Sequence, residues 1–422
     1  MALSTSQCSA ISNTVEIGGS QTVQSGGTAL GTVVLGTEAV VKGGTTTNAD
    51  VYGTEYISGS AIGNTVETAG TQTVQSGGVA SGTTVLAGGT ESVLVGGTAK
   101  NETIIGYEVV YSGGAAYNNT IAIGASVSIQ LGGLASGTTV QSGGEEYVSG
   151  TAKNETISGY EQVYAGGAAY NNTIANGALV FIASGGLASG TTVQSGGVEL
   201  VSGGTVKNGT INNSGYVYVV SGGTALKETV TSGGLLLIDA YANASGTTVQ
   251  AGGVELVSGA VKYETISGTE AVAAGGVAIS NTVAAGGLLE IVAGGLASGG
   301  SVQNGGIVDV GGTLNWTRVA SGGELITESG ASYTSVLVSK GGTVLLKGGT
   351  LSGITLQSGA YEVVASGFTY ELASGVAIQP GVIVEVQNSG TMIIDAGASA
   401  KGVIVSGGGV LDVNGTATSA VL

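Results

Sequence analysis

Residues 99–122 read AKNETIIGYEVVYSGGAAYNNTIA, and residues 152–175 read AKNETISGYEQVYAGGAAYNNTIA. Across these 24 positions the copies differ only at Ile105/Ser158, Val109/Gln162 and Ser112/Ala165. Near-identity at a separation of 53 residues makes the chain a tandem array, and the repeat governs every other reading. Inside each copy lies a shorter unit. Asn-Glu-Thr-Ile ends at Ile104 and Asn-Asn-Thr-Ile at Ile121, 17 residues later. The same step, an apolar residue usually preceded by threonine, recurs at twenty places from Val15 through Val33, Val140, Val193 and Val249 to Leu356. The mean spacing is about 18 residues. Gly-Thr-Thr-Val at 82–85, 137–140, 190–193 and 246–249 marks a coarser beat of three units, 53 to 56 residues long.

A regular array can form one elongated body, because each unit contacts mainly its neighbours. Glycine supplies 82 of 422 residues and proline one, Pro380, without a strict third-position glycine, so collagen is excluded. With 42% hydrophobic and 9% charged residues in periodic order, the chain is not disordered. Ten basic and 27 acidic residues give a net charge of −17. That makes nucleic acid and anionic membranes poor partners. The acidity reads as a solubility feature of the exposed surface. It also opposes close approach of two copies, a repulsion that salt screens. Histidine is absent and Cys8 is alone, which removes histidine-based catalytic triads and cysteine zinc clusters. No apolar run is long enough to span a bilayer as a helix, and MALSTSQCSAISNT does not read as a Sec signal peptide.

Runs of three to five residues rich in β-branched types, bounded by glycine every eight to ten residues, predict short strands and sharp corners. Glycine supplies positive φ at the corners. The position three before each glycine pair is expected to face inward, as in Val23, Val40, Val93, Leu200 and Leu345. The next residue, such as Gln24, Tyr111, Tyr164 or Val201, is expected to face solvent. Position five before the pair is mixed, and Leu237 and Ile238 lack a closing pair and cannot be aligned. A unit this short cannot bury its own apolar face. Stacked in parallel, the units predict an all-β parallel β-helix, or solenoid, of about 20–22 rungs with about 18 residues each. At ~4.8 Å per rung the body is roughly 105 Å long. A β-propeller is the rival, and the 18-residue subdivision argues against it. The rhythm falters after Gly367, so residues 1–367 are read as the regular helix and 368–422 as atypical C-terminal rungs or a cap.

An N-x-T-V step, a glycine pair and V-x-S-G-G-x-A at this spacing resemble the AIDA-type repeats of self-associating autotransporter adhesins. Ser12-Asn-Thr-Val15, Gln24-Ser-Gly-Gly-Thr-Ala29 and Ala80-Ser-Gly-Thr-Thr-Val85 carry the resemblance, which covers about 350 residues. It implies a secreted passenger domain forming a right-handed β-helix at a bacterial surface. It also implies autoaggregation, biofilm formation or host-cell adherence, and heptose attached to repeat serine and threonine by a dedicated glycosyltransferase. The family's signal peptide and C-terminal translocator barrel have no counterpart in this sequence.

The expected function is therefore a non-enzymatic adhesin that associates with itself, with a host-cell surface or glycans, and with a heptosyltransferase. An inert structural rod is the alternative. No catalytic, cofactor or metal residues are expected: five scattered aspartates offer no paired-carboxylate site, and the calcium nonapeptide G-G-x-G-x-D does not recur. The candidate interaction or glycan face is Thr84, Thr103, Thr120, Thr139, Thr156, Thr173 and Thr192, with Tyr111 and Tyr164. If Val140 faces inward, Thr139 and its equivalents form an outward hydroxyl ladder. Threonine is equally at home on any exposed strand, and tyrosine can simply shield the core at rung corners. Glu-Thr and Asn-Asn ahead of isoleucine read as corner polar residues, with asparagine tolerating αL.

Overall fold

The computed structural model describes residues 2–5, 9–374 and 377–422. Cys8 lies outside them. The fold is a parallel β-solenoid of about 21 turns with about 19 residues per turn. Its contacts divide it into two units, residues 1–218 with 222–224, and 219–221 with 225–422.

One turn of the first unit shows the plan. Thr90–Val93 forms a four-residue strand, Thr98–Lys100 a three-residue strand and Thr103–Ile104 a two-residue strand. Tyr107–Val110 then pairs in parallel with Thr90–Val93, setting Val110 on Val93 and Glu108 on Glu91. Three ladders result, called here the first, second and third sheets. The second unit repeats the plan, for example with Val254–Val257, Ala260–Lys262 and Thr265–Ile266.

Alternation across each strand sends every second side chain inward. Val93, Ala99 and Ile104 are fully buried while Thr90, Ser92 and Lys100 are not. Stacked turn upon turn, these positions become columns of valine, alanine and isoleucine. Each buried valine or isoleucine contributes about 1.5–3 kcal/mol. The glycine pairs divide their work. Gly96 has φ +72°, whereas a Cβ on Gly97 would stand 2.4 Å from the Val74 carbonyl oxygen of the preceding turn. One glycine makes the bend and the other lets two backbones approach. Asparagine makes the second corner, with Asn101, Asn118, Asn154 and Asn171 at φ 54–56°.

Four sequence expectations fail in register. Val34 rather than Val33, Val201 rather than Leu200, and Leu346 rather than Leu345 are the buried members. The corners at 202–204 and 347–349 are one residue shorter than Gln-Ser-Gly-Gly, so counting back from the glycines lands one residue early. Val201, expected at the surface, is therefore core. At Val33 the two-residue strand pairs Val33 with Thr14, which puts Val33 in the outward column. Leu237 and Ile238 align after all. Leu236 and Ile238 are fully buried, and Tyr241, at φ +63°, takes the place of a glycine.

In the second unit the ladders change partway. The second sheet's regular ladder ends at Ser332–Thr334 and the third sheet's at Ile354–Leu356, which leaves Leu356 only half-buried. The first sheet continues through Tyr361–Val364, Ile383–Val386 and Val403–Val405. A separate three-stranded ladder is formed by Thr369–Leu372, Thr391–Ile394 and Val410–Val413.

The register at the short corner is testable. Val201→Asp buries an unpaired carboxylate and is expected to cost several kcal/mol, about 3–5, whereas Leu200→Asp costs under about 1. Equal losses of Tm in thermal unfolding would contradict the assignment.

Candidate interaction face and acidic interior

The third sheet sets the seven candidate threonines directly on one another. Thr84 pairs with Thr103, Thr103 with Thr120, Thr120 with Thr139, and so on through Thr156 and Thr173 to Thr192. The ladder extends beyond them to Thr65 and Thr210. Thr103, Thr139 and Thr156 are exposed, and Thr84, Thr120, Thr173 and Thr192 are half-buried.

Tyr111 and Tyr164 are exposed at the ends of first-sheet strands. Tyr147, which the sequence reading passed over, brings Tyr164 into a cluster. Its ring stacks on Tyr164 at 6.3 Å and meets Tyr160 edge-on at 6.2 Å. Tyr111 joins neither contact. The second sheet carries a further outward ladder that the sequence reading also missed. Lys100, Tyr117, Ser136, Lys153, Tyr170, Ser189 and Lys207 stand in register, a three-turn cycle of lysine, tyrosine and serine. The 53-residue repeat was the available signal, since it spaces Lys100 from Lys153 and Tyr117 from Tyr170.

The larger correction lies inside. Fourteen of the 27 acidic residues are glutamates with at most 1% of their surface exposed, so the acidity is not mainly a surface feature. Ten of them belong to the first sheet, in the pattern Glu-x-Val or Glu-x-Ile. Alternation that buries the valine must bury the glutamate two residues earlier. Glu102, Glu155, Glu228 and Glu264 occupy the inward position just before the third sheet.

Two kinds of cluster result. Glu38 and Glu55 lie on successive turns and are flanked by amides. Gln21 Nε2 donates to Glu38 at 2.8 Å, Gln72 Nε2 to Glu55 at 2.7 Å, and Asn64 Nδ2 to both Glu55 oxygens at 2.9 and 3.0 Å. The second kind is a triad: Glu91, Glu102 and Glu108; Glu146, Glu155 and Glu161; and Glu255, Glu264 and Glu270. In each, three carboxylate oxygens lie within 4.8 Å of one another. Asparagine closes one side, with Asn119, Asn172 and Asn281 donating to both oxygens of Glu108, Glu161 and Glu270 at 2.9–3.3 Å.

Burial penalises the charged form of every one of these carboxyls. It pushes Glu55 up to about 8, with help from the Glu38 charge, and Glu255 up to about 7. Glu102, Glu108, Glu155, Glu161, Glu264 and Glu270 are held well above the ordinary range, by burial first and by neighbouring carboxylates next. In the second unit, Glu362 is likewise raised to about 7 by burial and lines an open pocket of about 760 Å³ with Leu351, Phe368 and Tyr370.

No protein-family model matches the chain, and no curated protein matches it. Among solved structures it is similar to a TibC-catalysed hyper-glycosylated TibA 55–350 fragment. That match has 28% identity and a TM-score of 0.49, and covers 77% of this chain and 99% of that one. The PL6-family alginate lyase AlyGC (8% identity, TM-score 0.22) covers 99% of this chain and 85% of its own. The Streptococcus pneumoniae surface protein and adhesin PfbA (8% identity, TM-score 0.12) covers 90% of this chain and 91% of its own.

Two outcomes follow from the interior acids. The folded chain holds protons that the unfolded chain releases above about pH 4.3, the ordinary glutamate value. Stability is therefore fully present below that value and is lost as pH rises through the folded values of about 7 for Glu255 and about 8 for Glu55. In buffer without divalent cations, Tm is expected to fall steadily from about pH 5 to about pH 8.5; a flat or rising Tm would contradict this. With the twelve whose carboxyls burial raises uncharged, fifteen acidic residues oppose ten basic ones, a net of −5 against the formal −17. Native isoelectric focusing should place the folded chain above its sequence pI of 4.2, and focusing in urea near it. Equal values would show the interior carboxyls ionised.

Proposed function

We propose that this chain is a non-enzymatic, adhesin-like protein of a bacterial surface or its surroundings, acting by lateral contact between copies. The observation that carries the reading is the register of the first unit's outward ladders, which repeat the same side chain turn after turn. A contact made once by a threonine or tyrosine can be made again one turn further along. Polar contacts worth about 1 kcal/mol or less then sum to useful avidity. Tyr147, Tyr160 and Tyr164 provide an amphipathic patch beside them, suited to another copy or to a sugar.

The threonine ladder is the proposed position for O-linked glycan, with a glycosyltransferase as partner, as TibC is for the TibA fragment. Heptose is the sugar that the AIDA-type resemblance implies, and host-cell surfaces or their glycans are further partners in this reading. Indoor placement of half the acids favours self-contact, because little net charge is left to repel a second copy. An inert scaffold would present the same ladders without contact between copies.

Sedimentation of the unmodified chain tests self-contact. Concentration-dependent association is expected at low as well as moderate salt, and Tyr147→Ser with Tyr164→Ser should weaken it several-fold. A monomer under all conditions would favour the scaffold. Intact mass of natively expressed protein tests modification: added mass in sugar-sized steps is expected, and the bare mass would remove the glycan reading.

A further inference from the structure

We propose that two of the interior triads, Glu146 with Glu155 and Glu161, and Glu255 with Glu264 and Glu270, are binding sites for a hard divalent cation, with calcium the species they fit best. The contrast between the two kinds of acidic cluster carries this inference. At Glu38 and Glu55 the chain surrounds the carboxyls with glutamine and asparagine amides, so their oxygens are satisfied by protein. At the triads it supplies fewer. Both oxygens of Glu91, Glu146, Glu255 and Glu264, and one each of Glu102 and Glu155, have no hydrogen-bond partner of ordinary geometry.

An independent side chain points the same way. Thr138 sits one turn before Glu155, and its backbone carbonyl accepts from the N–H of Thr156 at 3.0 Å. It is 2% exposed, and its hydroxyl is directed at the Glu155 carboxyl without making a hydrogen bond of ordinary geometry. Thr247 stands in the same relation to Glu264, is 1% exposed, and its hydroxyl likewise faces that carboxyl without a hydrogen bond of ordinary geometry. A hydroxyl and a carboxyl buried together without a bond of good geometry leave lone pairs of both unused. A cation accepts oxygen lone pairs from both at once. Glu102 has Thr83 in the corresponding place, but that hydroxyl is directed to Gln72 at 3.4 Å, so the Glu91 triad lacks this ligand and is left out of the proposal.

The donor set decides the class. Every group is an oxygen, which selects a hard cation over zinc or copper. Three carboxylates, each able to bind through both oxygens, and one hydroxyl reach the six to eight oxygen ligands that calcium takes without retained water. Magnesium holds its water and demands octahedral geometry, which a closed interior does not favour. Calcium leaves one negative charge of three, and the asparagine amide at Glu161 or Glu270 faces that remainder. Because the triad glutamates are at most 1% exposed, the ion would enter while the turns assemble and would then be enclosed.

The whole chain, refolded from denaturant in calcium or in chelator and then gel-filtered, provides the test. About two calcium ions per chain are expected to remain after refolding in calcium, with a higher Tm at pH 8 than the chelator sample. Magnesium should not be retained. Glu161→Gln is expected to fold, since Gln72 occupies the same column, and to retain one ion fewer. Glu270→Gln should independently do the same. A wild-type chain that retains no calcium and melts identically with and without it would overturn the proposal. So would either folded variant retaining as much as wild type.

Discussion

In-register parallel pairing governs this molecule. Each strand lies beside its counterpart from the previous turn, so a residue type at an inward position becomes a column rather than a single contact. For valine and isoleucine a column is a gain at every step. For a carboxylate it multiplies a desolvation penalty that no single neighbour can cancel. The position before the third sheet runs Thr83, Glu102, Asn119, Thr138, Glu155, Asn172. The first sheet's inner position runs Glu91, Glu108, Val127, Glu146, Glu161, Val180. Each triad spans two turns, and the Val127 turn separates the first triad from the second. The three-turn super-repeat is thus the period of an internal polar arrangement, not only of the surface.

The architecture was legible because glycine pairs and threonine–valine steps punctuate the chain at the solenoid's own period. Register was legible wherever the corner had its usual length, and failed at Leu200 and Leu345, where a corner lost one residue. The buried glutamates were hidden by a general expectation that charged residues lie outside. The local signal was nonetheless present in Glu91-Ser-Val93, Glu146-Tyr-Val148 and Glu255-Leu-Val257, where strict alternation ties the glutamate's side to the valine's. That three of them meet could not be read from sequence. It depends on how one turn's corner overlies the next turn's first strand.

Inside and outside are consequently coupled. Residues that dominate the formal charge lie in the core, and the exposed ladders are built of threonine, tyrosine, serine and lysine. A surface of small charge and repeated hydroxyls suits contact with a similar surface or with carbohydrate. The threonine column was found from sequence. The lysine–tyrosine–serine column and the Tyr147 cluster emerged only when strands were laid side by side.

A core of this kind holds together only if the interior glutamates carry protons when no cation is bound. Infrared spectroscopy of chain labelled with carboxyl-13C glutamate, in chelator at neutral pH, distinguishes the two states, because protonated and ionised carboxyls absorb at well-separated frequencies. A protonated-acid band is expected in the folded chain and should disappear on unfolding at the same pH. Only ionised carboxylate in the folded chain would contradict it.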